Sequence, residues 1–350
     1  MIFQQFQSTV TVSGRVQNVT NGLWSNGSPI ATQFYLLPSQ TAFTGSTNLA
    51  ILNGAYYYNV YDQDPTVSDT AEVQFSVAYG NVNGSGSIVD LNKGATLTTQ
   101  AVYSQFKNII LDPNDPLFTF QLSGSVVSGY QSNDIYVIGF STVRFKDQVD
   151  NGTIQFNLSG SKGNFSFIDD SSTSIQTSVG ASGQVYNIIN GSLVSGSINT
   201  YDSAGRGFGL FYPEIGIIVL NPVAIADKVG IELLPNEGTD QYYQNQNLLF
   251  KAIQAGGYFQ ARSTEFIPTS NYFVRVGNQD FNYSNNPTFV SSSNGQTNLL
   301  FPQFSTDPQV YITTVGLYDS NNNLVAVGKL SQPLLKTFDS EALIRVRLNF

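Results

Sequence analysis

Seven Asn-Gly dipeptides punctuate the chain, at residues 21–22, 26–27, 53–54, 83–84, 151–152, 190–191 and 294–295. Asn-Gly supplies the positive φ angles that a two-residue hairpin turn requires, so each marks a place where a strand can fold back. The stretches around several of them alternate apolar and polar residues. In AEVQFSVAYGNVNGSGSI (71–88), Val73, Phe75 and Val77 face one way. DIYVIGFSTVRFKDQVDNGTIQFNLSG (134–160) reads as a long strand that turns near Asp150-Asn151-Gly152 and returns through Ile154, Phe156 and Leu158. GQVYNIINGSLVSGSI (183–198) reads as another hairpin.

Three segments carry helical spacing instead. TTQAVYSQFKNIIL (98–111) places Val102, Phe106, Ile109 and Ile110 on one face and stops at Asp112-Pro113. NPVAIADKVG (221–230) has Asn221 as N-cap, Pro222 at the first helical position and Gly230 past the end. YYQNQNLLFKAIQAGG (242–257) ends in a glycine pair suited to a C-cap. The expected fold class is mainly β with a few short helices (α+β), built as several antiparallel, β-sandwich-like units. The helices divide the 350 residues into an N-terminal β segment at 1–97, a central β-rich unit at 98–235 and a C-terminal unit at 236–350.

Cysteine and histidine are both absent. Disulfides, thiolate nucleophiles, Cys/His zinc sites and every Ser-His-Asp or Cys-His arrangement are thereby excluded. The net charge of −9 argues against nucleic acid as a partner, because phosphate binding needs clustered Lys and Arg. Only 11% of residues are charged, with Asn, Ser, Thr and Gln supplying the polar surface, a composition suited to wet contacts in an assembly. No run approaches the length of a membrane helix, and MIFQQFQSTVTVSGRV lacks the basic and apolar segments of a signal peptide, so neither is expected.

Without histidine and cysteine, catalysis would need carboxylates, Lys, Tyr or a hydrated metal. Asp62 and Asp64 in YNVYDQDPTVSD could hold a hard cation or act as a glycosidase pair, but loop acids of this kind are commonly turn formers; Asp169-Asp170 in FIDDSSTS reads the same way. Asp319-x-Asn321-x-Asn323 begins like a calcium loop, yet Leu324 stands where Gly is needed and Leu330 where Glu is needed. SAGRGFGLFYPEIG (203–216) lacks a nucleotide-binding spacing and reads as a glycine-rich bend feeding a buried strand, Ile215 to Leu220. AYYYNVYDQD (55–64) is a tyrosine-rich strand that could serve sugar stacking, core packing or an interface. No cofactor, metal or catalytic residue is assigned, and the chain is expected not to be an enzyme.

Near the C-terminus, TTVGLYDSNNNLVAVGKL (313–330) reads as a hairpin whose arms are apolar, small or aromatic almost throughout. Such arms need cover on both sides, either inside one domain or between subunits. Lys329, Lys336, Arg345 and Arg347 follow, as a charged edge that resists aggregation or a docking patch for an acidic neighbour.

Several ordered stretches carry a family likeness: EVQFSVAYGNVNGSGS (72–87), NDIYVIGFSTVRFKDQVDNGTIQFNLSG (133–160), FIDDSS (167–172), VYNIINGSL (185–193), GLFYPEIGIIVLNPVAI (209–225), FNYSNNPTF (281–289) and YITTVGLYDSNNNLVAVGKLSQPLLKTF (311–338). Their succession resembles the virion structural proteins of marine T4-like contractile-tailed phages, especially those infecting cyanobacteria. The resemblance implies a non-enzymatic tail or baseplate subunit, located in the virion and assembled in the host bacterial cytoplasm. Its partners would be other tail and baseplate proteins and further copies of itself, with no nucleic acid and no membrane. The expected assembly contacts are Tyr57 and Tyr58 in the tyrosine-rich strand, Phe281, Tyr283 and Phe289 in FNYSNNPTF, and Leu317, Tyr318, Leu324 and Val325 in the terminal hairpin. The alternative is a host-receptor or glycan-binding adhesin of the virion that uses exposed tyrosines such as Tyr57 and Tyr58. A glycoside hydrolase, which needs two carboxylates about 5–10 Å apart, comes last.

Overall fold

The computed structural model describes residues 13–37, 56–87, 89–90, 94–95, 98–120, 130–172, 178–180, 183–194, 197–201, 207–234, 244–293 and 296–349. The protein is mainly β, with three α-helices among the described residues and large antiparallel sheets, one of them curled into a half-barrel. Two compact units form, one from Val19–Glu265 and one from Met1–Asn18 with Phe266–Phe350. The units expected from the sequence meet at 97/98 and 235/236, whereas these part at 18/19 and 265/266.

The larger unit is organised by β1 (Tyr58–Tyr61), β2 (Val73–Asn81), β3 (Asp134–Phe140), β4 (Gln155–Gly160), β5 (Gly163–Asp169), β6 (Gly183–Val194), β7 (Gly209–Tyr212) and β8 (Ile217–Leu220). Their order in the main sheet is β4-β5-β6-β7-β8-β3-β2-β1, with short strands added at both ends. Helices α1 (Thr98–Ile110), α2 (Pro222–Val229) and α3 (Gln244–Gly256) belong to the same unit. At the centre, Phe75 lies opposite Phe140, Val77 opposite Ile138 and Tyr79 opposite Tyr136. These six side chains join the helix residues Ala224, Ile225, Leu249 and Ile253 in one core. The intervening Ala78, Ile135 and Val137 share a second core with Val102, Tyr103 and Ile110 of α1. Because successive strand residues point to opposite faces, a run that is apolar at both parities needs cover on both.

The predicted helices form, and their ends follow from local chemistry. Asn221 Oδ1 accepts from the backbone N–H groups of Val223 and Ala224, while Gly230 closes α2 at φ 82°. In α1 the buried face differs from the expected one. Ile109 is half exposed, and Tyr103 takes its place, donating from its hydroxyl to Ser132 O at 2.8 Å.

The reading of 134–160 as one hairpin is corrected. The turn is present, with Gly152 at φ 79°, and Ile154, Phe156 and Leu158 are fully buried. Yet β3 pairs with β2 and β8, whereas β4 pairs with β5 across the tight turn after Gly160. Four strands therefore lie between β3 and β4. Gly27, Gly84 and Gly152 adopt positive φ as expected, but Asn190-Gly191 lies inside β6. That strand pairs with Ser197–Tyr201, and its loop, like Asn53-Gly54 and Asn294-Gly295, falls outside the described residues.

The second unit contains β10 (Val310–Tyr318), β11 (Leu324–Lys336) and β12 (Ala342–Asn349); β9 (Arg262–Val276) enters it at Phe266. β12 pairs along β9 from Val276↔Ala342 to Thr269↔Asn349. β10 and β11 pair with each other as a separate two-stranded sheet. Among the described residues, neither hydrophobic core contains a member of this unit.

Candidate assembly interface

The hairpin of β10 and β11 is set by its turn. Asp319 Oδ1 accepts from Asn321 N at 2.8 Å and Asn323 N at 2.7 Å, and Oδ2 accepts from Asn323 Nδ2 at 3.0 Å. Asn322 takes the left-handed conformation, φ 63°, which asparagine tolerates better than most residues. These hydrogen bonds hold the Asp319 carboxyl below its usual pKa of 3.8.

Register then divides the side chains. Leu317 lies opposite Ala326, and Val315 opposite Gly328. This face is covered within the unit: Leu317 is 5% exposed, and Val346 Cγ1 stands 3.8 Å from where a side chain on Gly328 would begin. On the other face Gly316 lies opposite Val327, and Thr314 opposite Lys329. Val325 and Val327 are 65% and 58% exposed. A Cβ on Gly316 would sit 2.9 Å from the Tyr318 ring and 3.4 Å from Leu324 Cδ1, so the glycine lets those two side chains lie flat across the sheet. The result is an apolar patch of Tyr318, Leu324, Val325 and Val327, with Lys329 at one end and Asp319 at the other.

The base of the hairpin is open too. Tyr311 and Leu335 are cross-strand partners and both are exposed, as is Leu334 opposite Ile312. On β12, Leu343, Arg345 and Arg347 point outward while Ile344 is buried. Lys336 does not join these surface charges. It is fully buried, and its ammonium donates to the carbonyl oxygens of Asn278, Asn282 and Thr337.

FNYSNNPTF folds into an aromatic cluster. Phe289 stacks on Phe304 with ring centroids 4.7 Å apart and planes 3° from parallel. Tyr283 and Phe301 meet this pair edge-on. Phe281 is held at φ 55°, an unusual conformation for a bulky residue.

Of the nine expected contact residues, Tyr57, Phe281, Tyr283, Leu324 and Val325 are exposed and Tyr318 is half-buried. Tyr58, Phe289 and Leu317 are corrected to interior positions, at 2%, 4% and 5% exposure. Tyr58 opens β1 and enters the core, whereas Tyr57 precedes the strand and stays exposed. Burial pushes the Tyr58 hydroxyl well above its usual pKa. Exposed residues missed in the sequence include Tyr311, Val327, Leu334, Leu335, Phe338 and Leu343. The alternation of ALIRVRLN could have located Leu343, which shares a face with two arginines.

The acidic candidates are absorbed by turns. Asp62 accepts from Ser25 Oγ and Glu72 N, and Asp64 from the backbone and hydroxyl of Thr66. Asp169 is buried and accepts from Gly152 N, Ile154 N and Ser171, while Asp170 accepts from the backbone and side chain of Asn187. Among the described residues no three acidic groups gather where they could hold a metal ion, and no helix is long and apolar enough to cross a membrane. Comparison with family models, with curated proteins and with solved structures finds no match to the chain.

Proposed function

We propose that this protein is a non-enzymatic structural component of a contractile-tailed phage virion, a baseplate or tail subunit whose C-terminal unit binds a neighbouring chain. One observation carries the binding role. Among the described residues from Phe266 onward, thirteen large hydrophobic side chains are exposed and five hydrophobic residues are buried. Scattered exposed apolar residues are ordinary, but a hairpin face of adjacent ones marks an interaction surface. The ordered sequence blocks supply the virion context, and the scarcity of charge suits a surface that is covered after assembly. The adhesin alternative is left without Tyr58, which is part of the core.

Immunogold electron microscopy of intact virions with an antibody to this chain tests the reading. Label at the distal end of the tail is expected. Absence of label from every virion would remove the proposal.

A further inference from the structure

The partner for the outer hairpin face is identified by the pattern of that face. Tyr318, Leu324, Val325 and Val327 occupy its middle, Lys329 closes one end, and the Asp319 turn closes the other. Asp319 and Thr314, the cross-strand partner of Lys329, are five residues apart, about 16 Å along an extended strand. A two-fold axis crossing the middle of the patch, perpendicular to the strands, lays valines on valines. It brings Lys329 of each copy to the Asp319 turn of the other. The same surface is thus complementary to itself in both apolar content and charge.

From this arrangement we infer that the outer face of the β10–β11 hairpin pairs with the same face of a second copy of this chain. The inference rests on reading the C-terminal unit as an assembly surface and adds who the neighbour is. Net charge favours this contact. Residues 266–350 contain five basic and five acidic residues, so two such units meet without net repulsion, although the whole chain carries −9. Size sets the strength. The face presents four apolar side chains and two charged ends, fewer than the roughly 20–30 residues a side of a standard interface. The free chain therefore forms a weak isologous dimer, and repetition in a symmetric particle strengthens it.

Sedimentation equilibrium of the full chain over rising concentration tests this directly. A monomer–dimer equilibrium is expected. Val327→Asp should abolish the dimer without unfolding the chain, because the side chain is exposed. Lys329→Glu should weaken it about tenfold at low salt, since a carboxylate would then face Asp319; Lys329→Arg should not. Asp319→Asn in the Lys329→Glu background should recover part of the loss, because the amide oxygen still caps the turn. A monomer at every concentration overturns self-pairing and leaves the virion role to its own test. A dimer indifferent to Val327→Asp overturns it as well.

Discussion

The ammonium of Lys336 donates to the side-chain carbonyl of Asn282 at 2.9 Å, joining the last residue of the hairpin to a loop more than fifty positions earlier. Asn278 O and Thr337 O complete the donor's set, at 2.9 and 2.6 Å. A fully buried ammonium is tolerated here because each of its three hydrogens has an acceptor. The same loop carries Phe281 in its left-handed conformation.

Lys336→Met keeps the length of the side chain but removes all three donors. The expected cost is about 1–3 kcal/mol, since lost hydrogen bonds are partly offset by relief of charge burial. Faster amide hydrogen exchange across residues 277–289, alongside a lower denaturation midpoint, would show that the lysine holds the loop. An unchanged midpoint and exchange pattern would show that it does not.

The two faces of the hairpin should respond oppositely to substitution. Leu317→Ala empties a buried position and should cost about 2–4 kcal/mol. Val325→Thr, on the open face, should shift the stability of the free chain by no more than about 0.5 kcal/mol. Chemical denaturation of the two variants separates the faces; equal losses would mean that both are covered within one chain.

The hairpin turn should weaken in acid. A carboxylate whose folded pKa lies below its unfolded value contributes stability above the unfolded value, and loses it as pH falls through the folded one. For Asp319 that window opens below 3.8. An NMR titration of its carboxyl carbon should show a midpoint under 3.8, with the amides of Asn321 and Asn323 shifting together with it. A midpoint at or above 3.8 would deny the turn this source of stability.

Tyr136 offers a test in the larger core. Its hydroxyl is buried and, among the described residues, has no hydrogen-bond partner, while Tyr79 donates to Asp134 at 2.7 Å. Burial as the main cause, with the Asp134 charge, raises the Tyr136 pKa. Tyr136→Phe removes an unsatisfied group at nearly constant volume and should raise stability by about 1 kcal/mol. A loss in thermal denaturation would show that the hydroxyl is satisfied after all.

These positions also show how far the sequence could be read. The helix from Pro222 was legible because its signals are local: an asparagine before it, a proline at its start and a glycine after it. Alternation placed Ile154, Phe156 and Leu158 on a buried face but could not name the partner of their strand. That partner is β5, reached across a turn in which Gly160 pairs with Gly163. Tyr57 and Tyr58 are adjacent tyrosines of one run, but β1 begins between them, and composition alone does not mark that boundary. Lys336 looked like surface charge because its three acceptors include two from residues 278 and 282, beyond the reach of any local pattern. The hairpin's need for cover was visible in its composition. Register added that one face, through Leu317, is covered within the chain and that Val325 and Val327 are not.

Hydroxyl-radical footprinting of Leu324, Val325 and Val327 in the free chain and in intact virions tests the central claim most directly. Strong modification in the free chain and protection in the virion is the predicted result. Equal modification in both would contradict an assembly role for this face.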